Sequence, residues 1–378
     1  MKFFAMKKKV LKSINNPFKF GTIVDGDFFT NRIKEIKVVR QILSSPNHMT
    51  IIAPRRFGKT SLIKKVINAE NRKSIFLDIQ LLNDIEDFAT QYLKRIYAIY
   101  PVEKIKNYIR NFKVIPTISF NPVTDEFNVS FSNIENEQLI LEDVLNLLEK
   151  ITNEKNRAIV VFDEFQDIFR IGTGLDRFLR SIMQNHKHIN YIFLGSQESM
   201  MQKIFEDKKS PFYHFGQLIY LDKIEKQQFK KFIVQNINFN KIASVDDIAE
   251  EILYFSNNHP YYTQQLAYQV WNLLSLQDVA DNSIVKKAVN EIINIHDYDY
   301  ERIWVSFNKT DKKILSGMAI YNLTPFSAAF GIKIKITSTS TLLSGVKRLM
   351  SKGYIIKSEN KYQIDDPFFV QWIIKRRH

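Results

Sequence analysis

Short apolar runs alternate with amphipathic stretches from about residue 48 to residue 222. The runs Met49–Ile52, Ser74–Leu77, Ala158–Phe162, Tyr191–Leu194 and Leu218–Leu221 are rich in β-branched and aromatic residues. Several lack polar alternation, which is how strands buried on both faces read. Between them, Leu175, Phe178, Leu179, Ile182 and Met183 recur at helical spacing and form one apolar stripe. Strand and helix taking turns predicts a parallel α/β sheet. Residues 114–131 break the alternation. Ile118 and Phe120 alternate before the turn-forming Asn121-Pro122 and Thr124-Asp125-Glu126, and Phe127, Val129 and Phe131 alternate after it, so a β-hairpin is expected there.

From about 223 to 298 helical patterns take over, including Ile248–Phe255 and Tyr261–Leu274. A third region begins near 301. It has a helix around Asp311–Ile320, a Thr324-Pro325 break, a helix over Ser340–Lys352 and two short strands at Tyr354–Ile356 and Lys361–Ile364, the order of a winged helix. In its Ser340–Lys352 helix, Leu342, Leu343, Val346, Leu349 and Met350 are expected inward, and Lys347, Arg348 and Lys352 outward or at the C-terminal end, where they can contact phosphate. The expected boundaries are a basic arm over 1–20, an α/β core over 21–222, a helical lid over 223–300 and a winged helix over 301–378.

Hydrophobic residues make up 45% of the 378 and charged residues 25%, which excludes a disordered chain. Cysteine is absent, which excludes a disulfide scaffold, a Cys-ligated zinc site and a Cys nucleophile. No apolar run approaches the ~20 residues of a membrane helix. The basic N-terminus lacks the apolar segment of a secretory signal, so a cytoplasmic protein with no membrane partner is expected. The net charge of +14 is unevenly spread. Residues 1–20 hold six lysines and no acid, residues 301–378 hold fourteen Lys and Arg against five Asp and Glu, and the stretch between carries −1. Basic ends suit DNA or an acidic protein partner, and equally suit a pair of solvated lysine-rich surfaces.

The strongest chemical signal is Ala53-Pro54-Arg55-Arg56-Phe57-Gly58-Lys59-Thr60-Ser61, set between an apolar strand and a helical stretch. That is the context of a phosphate-binding P-loop, in which loop N–H groups and a helix N-terminus converge on phosphate oxygens. Gly58 lets the backbone turn close to phosphate, Lys59 is placed to reach the β- and γ-phosphates, and the Thr60 hydroxyl to ligate Mg²⁺. The motif opens with Ala53 where the pattern has glycine, and a methyl group is tolerated there if φ stays negative. The second signal is Ala158–Glu164, a buried strand ending in two acids. Asp163 is expected to hold Mg²⁺, directly or through water, and Glu164 to polarise the attacking water. Gln166 and Asp167 read as loop residues. Third, Tyr191–Leu194 runs into Gly195-Ser196-Gln197, where Ser196, or failing it Gln197, can contact the γ-phosphate or the water; local turn hydrogen bonds are the plainer account.

Together these motifs resemble the archaeal-type ATPase family, in the STAND branch of AAA+ P-loop NTPases, over nearly the whole chain. The likeness includes Asn16-Pro17-Phe18-Lys19-Phe20-Gly21 and Phe28-Phe29-Thr30-Asn31-Arg32 at the start. Arg32 matches the family's adenine-side Gly-Arg-Glu motif, with Asn31 at its glycine, Ile33 at its glutamate and Glu35 as a substitute. Pro54–Ser61 is similar to the family's P-loop, and the strands ending at Asp163-Glu164 and Gly195-Ser196 match its Walker B and sensor-1 strands. Asn258-His259-Pro260-Tyr261-Tyr262 resembles its Gly-x-Pro motif, with Asn258 at the glycine. The resemblance implies that Pro260 lies over the adenine; as a local feature, Pro260 reads as the first turn of a helix that Asn258 can cap. The family's arginine has no counterpart in Ser210–Gly216, which leaves Arg177 and Arg180 either as fingers offered to a neighbouring copy or as a solvated helix face.

The expected fold is thus an α/β P-loop NTPase core, an all-α lid and a C-terminal winged-helix domain. The expected activity is ATP binding with Mg²⁺ and slow hydrolysis, nucleotide state setting the position of lid and winged helix. A DNA-associated ATPase and a nucleotide-binding module without turnover are the alternatives.

Overall fold

The computed structural model describes residues 16–124, 126–131, 136–237, 244–276, 283–321, 323–358 and 361–377. Most of the basic arm (residues 1–15) and the hairpin-turn residue Asp125 lie outside the described residues. The chain forms two compact units. Of the described residues, one holds those of 32–55 and 59–221; the other holds those of 16–31, 56–58 and 222–377.

In the first unit the strands are β1 (Met49–Ile52), β2 (Ser74–Asp78), β3 (Thr117–Asn121), β4 (Glu126–Ser130), β5 (Ala158–Asp163), β6 (Ile189–Gly195) and β7 (Gln217–Tyr220). β2, β5, β6, β1 and β7 lie side by side in that order, and every neighbouring pair is parallel. All five apolar runs are therefore strands of one sheet. The three inner strands are the ones without alternation: β1 and β6 are buried throughout and β5 up to Asp163. The edge strand β7 has no fully buried position: its two ends are exposed and its two middle residues half-buried. Phe162 stacks nearly coplanar with Tyr191 at 6.0 Å and lies 5.9 Å from Phe193, so the aromatic side chains form continuous packing across β5 and β6. The hairpin forms as expected, β3 and β4 pairing antiparallel with Ile118 opposite Val129 and Phe120 opposite Phe127.

The register brings strand ends together. Asp78 of β2 lies opposite Asp163 of β5, and Ile52 of β1 opposite Gly195 of β6. The segments leaving β1, β5 and β6 thus emerge along one edge of the sheet, the position where open α/β sheets bind ligands.

In the second unit, helices 226–236, 245–256, 260–276 and 284–295 are followed by helix 297–306, which runs across residue 300. Helices 309–321, 328–333 and 339–351 then lead to β8 (Ile355–Ser358) and β9 (Lys361–Ile364), an antiparallel pair, and a last helix 367–377. One apolar core runs through the whole unit, from Phe18 and Ile252 to Leu349 and Trp372. Asn257 Nδ2 and Lys223 Nζ both donate to Gln363 Oε1 of β9, at 2.9 and 3.1 Å. In helix 339–351, Leu342, Val346 and Leu349 are buried and Met350 packs against the core, but Leu343 is 42% exposed and does not join it. Helix 309–321 packs so close that a Cβ on Gly345 would lie 2.5 Å from Ile314 Cδ1, so a larger residue there would have to displace the end of that side chain. No helix of the described residues is long and apolar enough to cross a membrane.

Candidate active site

Lys59 is the first residue of helix 59–69, which follows β1 and the loop 53–58. Lys59 is 6% exposed, and its ammonium donates to Ala53 O at 2.9 Å and Pro54 O at 3.3 Å. Burial lowers its pKa, and the carboxylates of Glu164 and Asp163 work against that shift. Ala53 keeps a negative φ, so its methyl group is accommodated, and its N–H donates to Gly195 O at 3.3 Å. Gly58 has φ +86°, a conformation that favours glycine.

Thr60 and Asp163 are 103 residues apart, yet Thr60 Oγ1 donates to Asp163 Oδ2 at 2.7 Å. The Asp163 Oδ1 accepts the Glu164 N–H at 3.0 Å. A hydroxyl and a carboxylate side by side are hard oxygen donors that fit Mg²⁺, which typically takes few protein ligands and keeps phosphate and water for the rest. No cluster of three or more His, Cys, Asp or Glu able to hold a metal occurs among the described residues.

Glu164 has φ 50°, and Ser196 Oγ from the end of β6 donates to its Oε2 at 2.5 Å. Gln166, read from the sequence as a loop residue, is 1% exposed and donates Nε2–H to the same oxygen at 2.6 Å. Asp78 was also outside the expected site, its strand being expected to stop at Leu77. Burial raises its carboxyl pKa, the backbone N–H of Gln80 opposes this, and Asp163, Glu164 and Asp167 add to it. Asp167 is likewise raised, by burial first and then by Glu164. A sequence signal for Gln166 exists in hindsight. Gln166 and Asp167 are the two polar residues between the apolar Phe165 and Ile168, both fully buried, so the turn that carries them is packed against the core.

Other expected residues lie elsewhere in the fold. Arg55 is exposed, Pro54 and Ser61 are half-buried. Arg56 and Phe57 belong with the second unit. There the Arg56 guanidinium sits 4.6 Å from the Tyr261 ring and donates to Tyr262 OH at 3.1 Å, and Phe57 meets His259 edge-on at 4.9 Å. Arg32 is buried and pairs with Glu35 at 3.0 Å, the substitute acid named above. Asn31 and Asn258, at two positions where the family pattern has glycine, have φ of 52° and 54°. Asparagine is the non-glycine residue that tolerates this region best.

Pro260 begins helix 260–276. The helix N-terminus is capped by His259, whose Nδ1 accepts the Tyr261 N–H at 3.2 Å, and not by Asn258, whose Oδ1 is buried without a partner. Arg180 is hydrogen-bonded to Gln184 at 2.9 Å and lies over the Phe215 ring, so its guanidinium is engaged within its own chain; Arg177 is exposed.

Of the three basic residues expected on the winged helix, Lys347 and Lys352 are exposed. Arg348 is committed to a neighbour, its Nη2 and Nε donating to Asp311 at 2.5 and 3.2 Å. Arg376 pairs with Asp297 and Arg377 with Glu301, so part of the positive charge of 301–378 is neutralised within the fold.

The family described as an ATPase domain predominantly from Archaea matches residues 29–266, and a second, described as a probable winged helix domain, matches residues 298–375. Among solved structures, a Walker-type ATPase of Pyrococcus abyssi is similar with a TM-score of 0.66 and 16% identity, over 95% of this chain and 99% of that one. Cdc6p of Pyrobaculum aerophilum is similar with a TM-score of 0.50 and 12% identity, over 95% and 97%. At these identities the likeness is one of fold. No curated relative matches the sequence.

Proposed function

Because the chain belongs to the family of ATPase domains found predominantly in Archaea, we propose that it binds ATP with Mg²⁺, hydrolyses it slowly, and uses the bound nucleotide as a switch of the STAND type. The observation that carries this reading is the convergence of Thr60, from the helix that follows β1, with Asp163, Glu164 and Ser196, from the ends of β5 and β6, into one hydrogen-bonded set. In the proposed assignment Lys59 and the N–H groups of 54–61 hold the phosphates. Thr60 and Asp163 hold Mg²⁺, which when bound neutralises charge developing on the phosphate oxygens. Glu164 is the base and Ser196 contacts the γ-phosphate or the water, while Arg32 and Pro260 belong to the base side. The arm over 1–20, core over 21–222, lid over 223–300 and winged helix over 301–378 remain the functional divisions of this proposal. The single core shared by helices 226–295 and the winged helix supports a switch in which these two move together.

Lys59→Ala tests the reading. The folded variant is expected to lose most ATP affinity by calorimetry, and wild-type affinity would sink the assignment.

A DNA-directed function is the second reading, favoured by the exposed Lys347 and Lys352 on one helix of a basic winged helix. Duplex binding that weakens steeply with salt supports it; no binding at low salt, with or without ATP, leaves a protein-directed switch.

A further inference from the structure

Gln166 and Ser196 both donate to Oε2 of Glu164, at 2.6 and 2.5 Å, and no hydrogen bond among the described residues engages Oε1. The amide orientation of Gln166 follows from charge, because the flipped amide would set its oxygen against a carboxylate oxygen. In the orientation observed, Gln166 Oε1 is buried and has no partner. A buried acceptor left unpaired is costly, and such groups concentrate where function holds them. The backbone supports the same arrangement. Glu164 is left-handed, the turn 165–167 follows it, and Phe165 anchors that turn with its ring 4.6 Å from Phe193 and 5.3 Å from Phe212.

We propose that Gln166 is a positioning residue for ATP hydrolysis: together with Ser196 it pins Oε2 of Glu164, so that Oε1 is the oxygen that takes the proton. The inference rests on the reading of Glu164 as the base. In the step, the water oxygen bonds to the γ-phosphorus and the bond from that phosphorus to the ADP oxygen breaks. The proton lost by water passes to Glu164 Oε1 and from there to solvent, leaving ADP and inorganic phosphate. A carboxylate held at one oxygen cannot rotate away from the water. One with a single donor can, and positioning losses of this kind fall on turnover more than on binding.

The experiment measures phosphate release by the full chain with ATP and Mg²⁺ from pH 5.5 to 9, and ATP affinity by calorimetry, for wild type, Gln166→Ala and Gln166→Glu. Gln166→Ala is expected to lower kcat by about tenfold or more with ATP affinity within about twofold, the loss of one hydrogen bond to a charged group. Gln166→Glu keeps the shape but can donate only when protonated. Its turnover relative to wild type is therefore expected to rise as pH falls, a signature that a packing role does not produce. This comparison carries the test even if Gln166→Ala fails to fold. Unchanged kcat in Gln166→Ala, or a wild-type pH profile in Gln166→Glu, overturns the inference and leaves the ATPase reading intact. No phosphate release from the wild type removes both.

Discussion

Arg348 and Lys347 are adjacent cations on the same helix, and replacing each with alanine is expected to have unlike effects. Asp311 is 1% exposed and its carboxylate accepts two hydrogen bonds from Arg348, whose side chain is 37% exposed. Removing the guanidinium leaves a buried carboxylate without them. Breaking a fully buried pair in this way costs ~3–5 kcal/mol. Water reaches the outer face of Arg348, so the expected loss for Arg348→Ala is smaller, about 2 kcal/mol. Lys347→Ala leaves nothing unpaired and is expected to stay within about 0.5 kcal/mol of wild type. The double variant Arg348→Ala/Asp311→Ala removes both charges and is expected to recover part of the loss, with a coupling of about 1–2 kcal/mol. Urea unfolding followed by tryptophan fluorescence is the suitable assay, since the three tryptophans, Trp271, Trp304 and Trp372, all lie in the unit that contains the winged helix. Equal stability of the two single variants, or additive losses in the double variant, would refute the structural role given to Arg348.

The site, the winged helix and two buried histidines give further expected outcomes. Glu164→Gln is expected to retain ATP binding and lose turnover by about 100-fold or more, the usual contribution of a general base. Asp163→Ala should weaken Mg²⁺-dependent binding as well, and an active Glu164→Gln protein would move the base elsewhere. If the winged helix contacts duplex DNA, Lys347→Ala/Lys352→Ala should flatten the log–log salt slope by about 1.8, at about 0.9 per phosphate contact, in fluorescence anisotropy; an unchanged slope would take these lysines off the DNA. Burial lowers the pKa of His48 and of His186 to about 4. The unfolded chain therefore takes up protons below pH 6.5 that the folded chain refuses until about pH 4. Stability should be fully present above pH 6.5 and fall through that window by up to about 1.4 kcal/mol per pH unit for each histidine. Replacing His186 with glutamine should reduce the slope of the urea midpoint against pH, and an unaltered slope would assign the acid sensitivity to other groups.

The sheet and its phosphate loop were legible in the residues themselves. Strands such as Ala158–Asp163 and Ile189–Gly195 are buried on both faces, and that condition is written as an uninterrupted apolar run. The P-loop also lies within one short window, Ala53–Ser61, running from the end of β1 into helix 59–69. The same holds for the Asp163-Glu164 pair, which ends a strand whose direction is set by parallel pairing. Even the departures from the family's glycines could be rationalised locally, because Asn31 and Asn258 tolerate the positive φ those positions require.

Tertiary structure alone decided which of several similar residues does what. Lys347 and Arg348 look alike in sequence; they differ because a buried carboxylate 37 residues earlier, Asp311, faces one of them. Gln166 reads as loop until the left-handed turn at Glu164 and the packing of Phe165 bring its amide back to the carboxylate two residues before it. Leu343 shares the apolar character of its neighbours, yet helix 339–351 has its buried side filled by Leu342, Val346 and Leu349. Backbone preference and burial period act over a few residues and therefore leave a trace along the chain. A hydrogen-bond partner is chosen by whatever the fold brings within 3 Å, and that choice has no local signature.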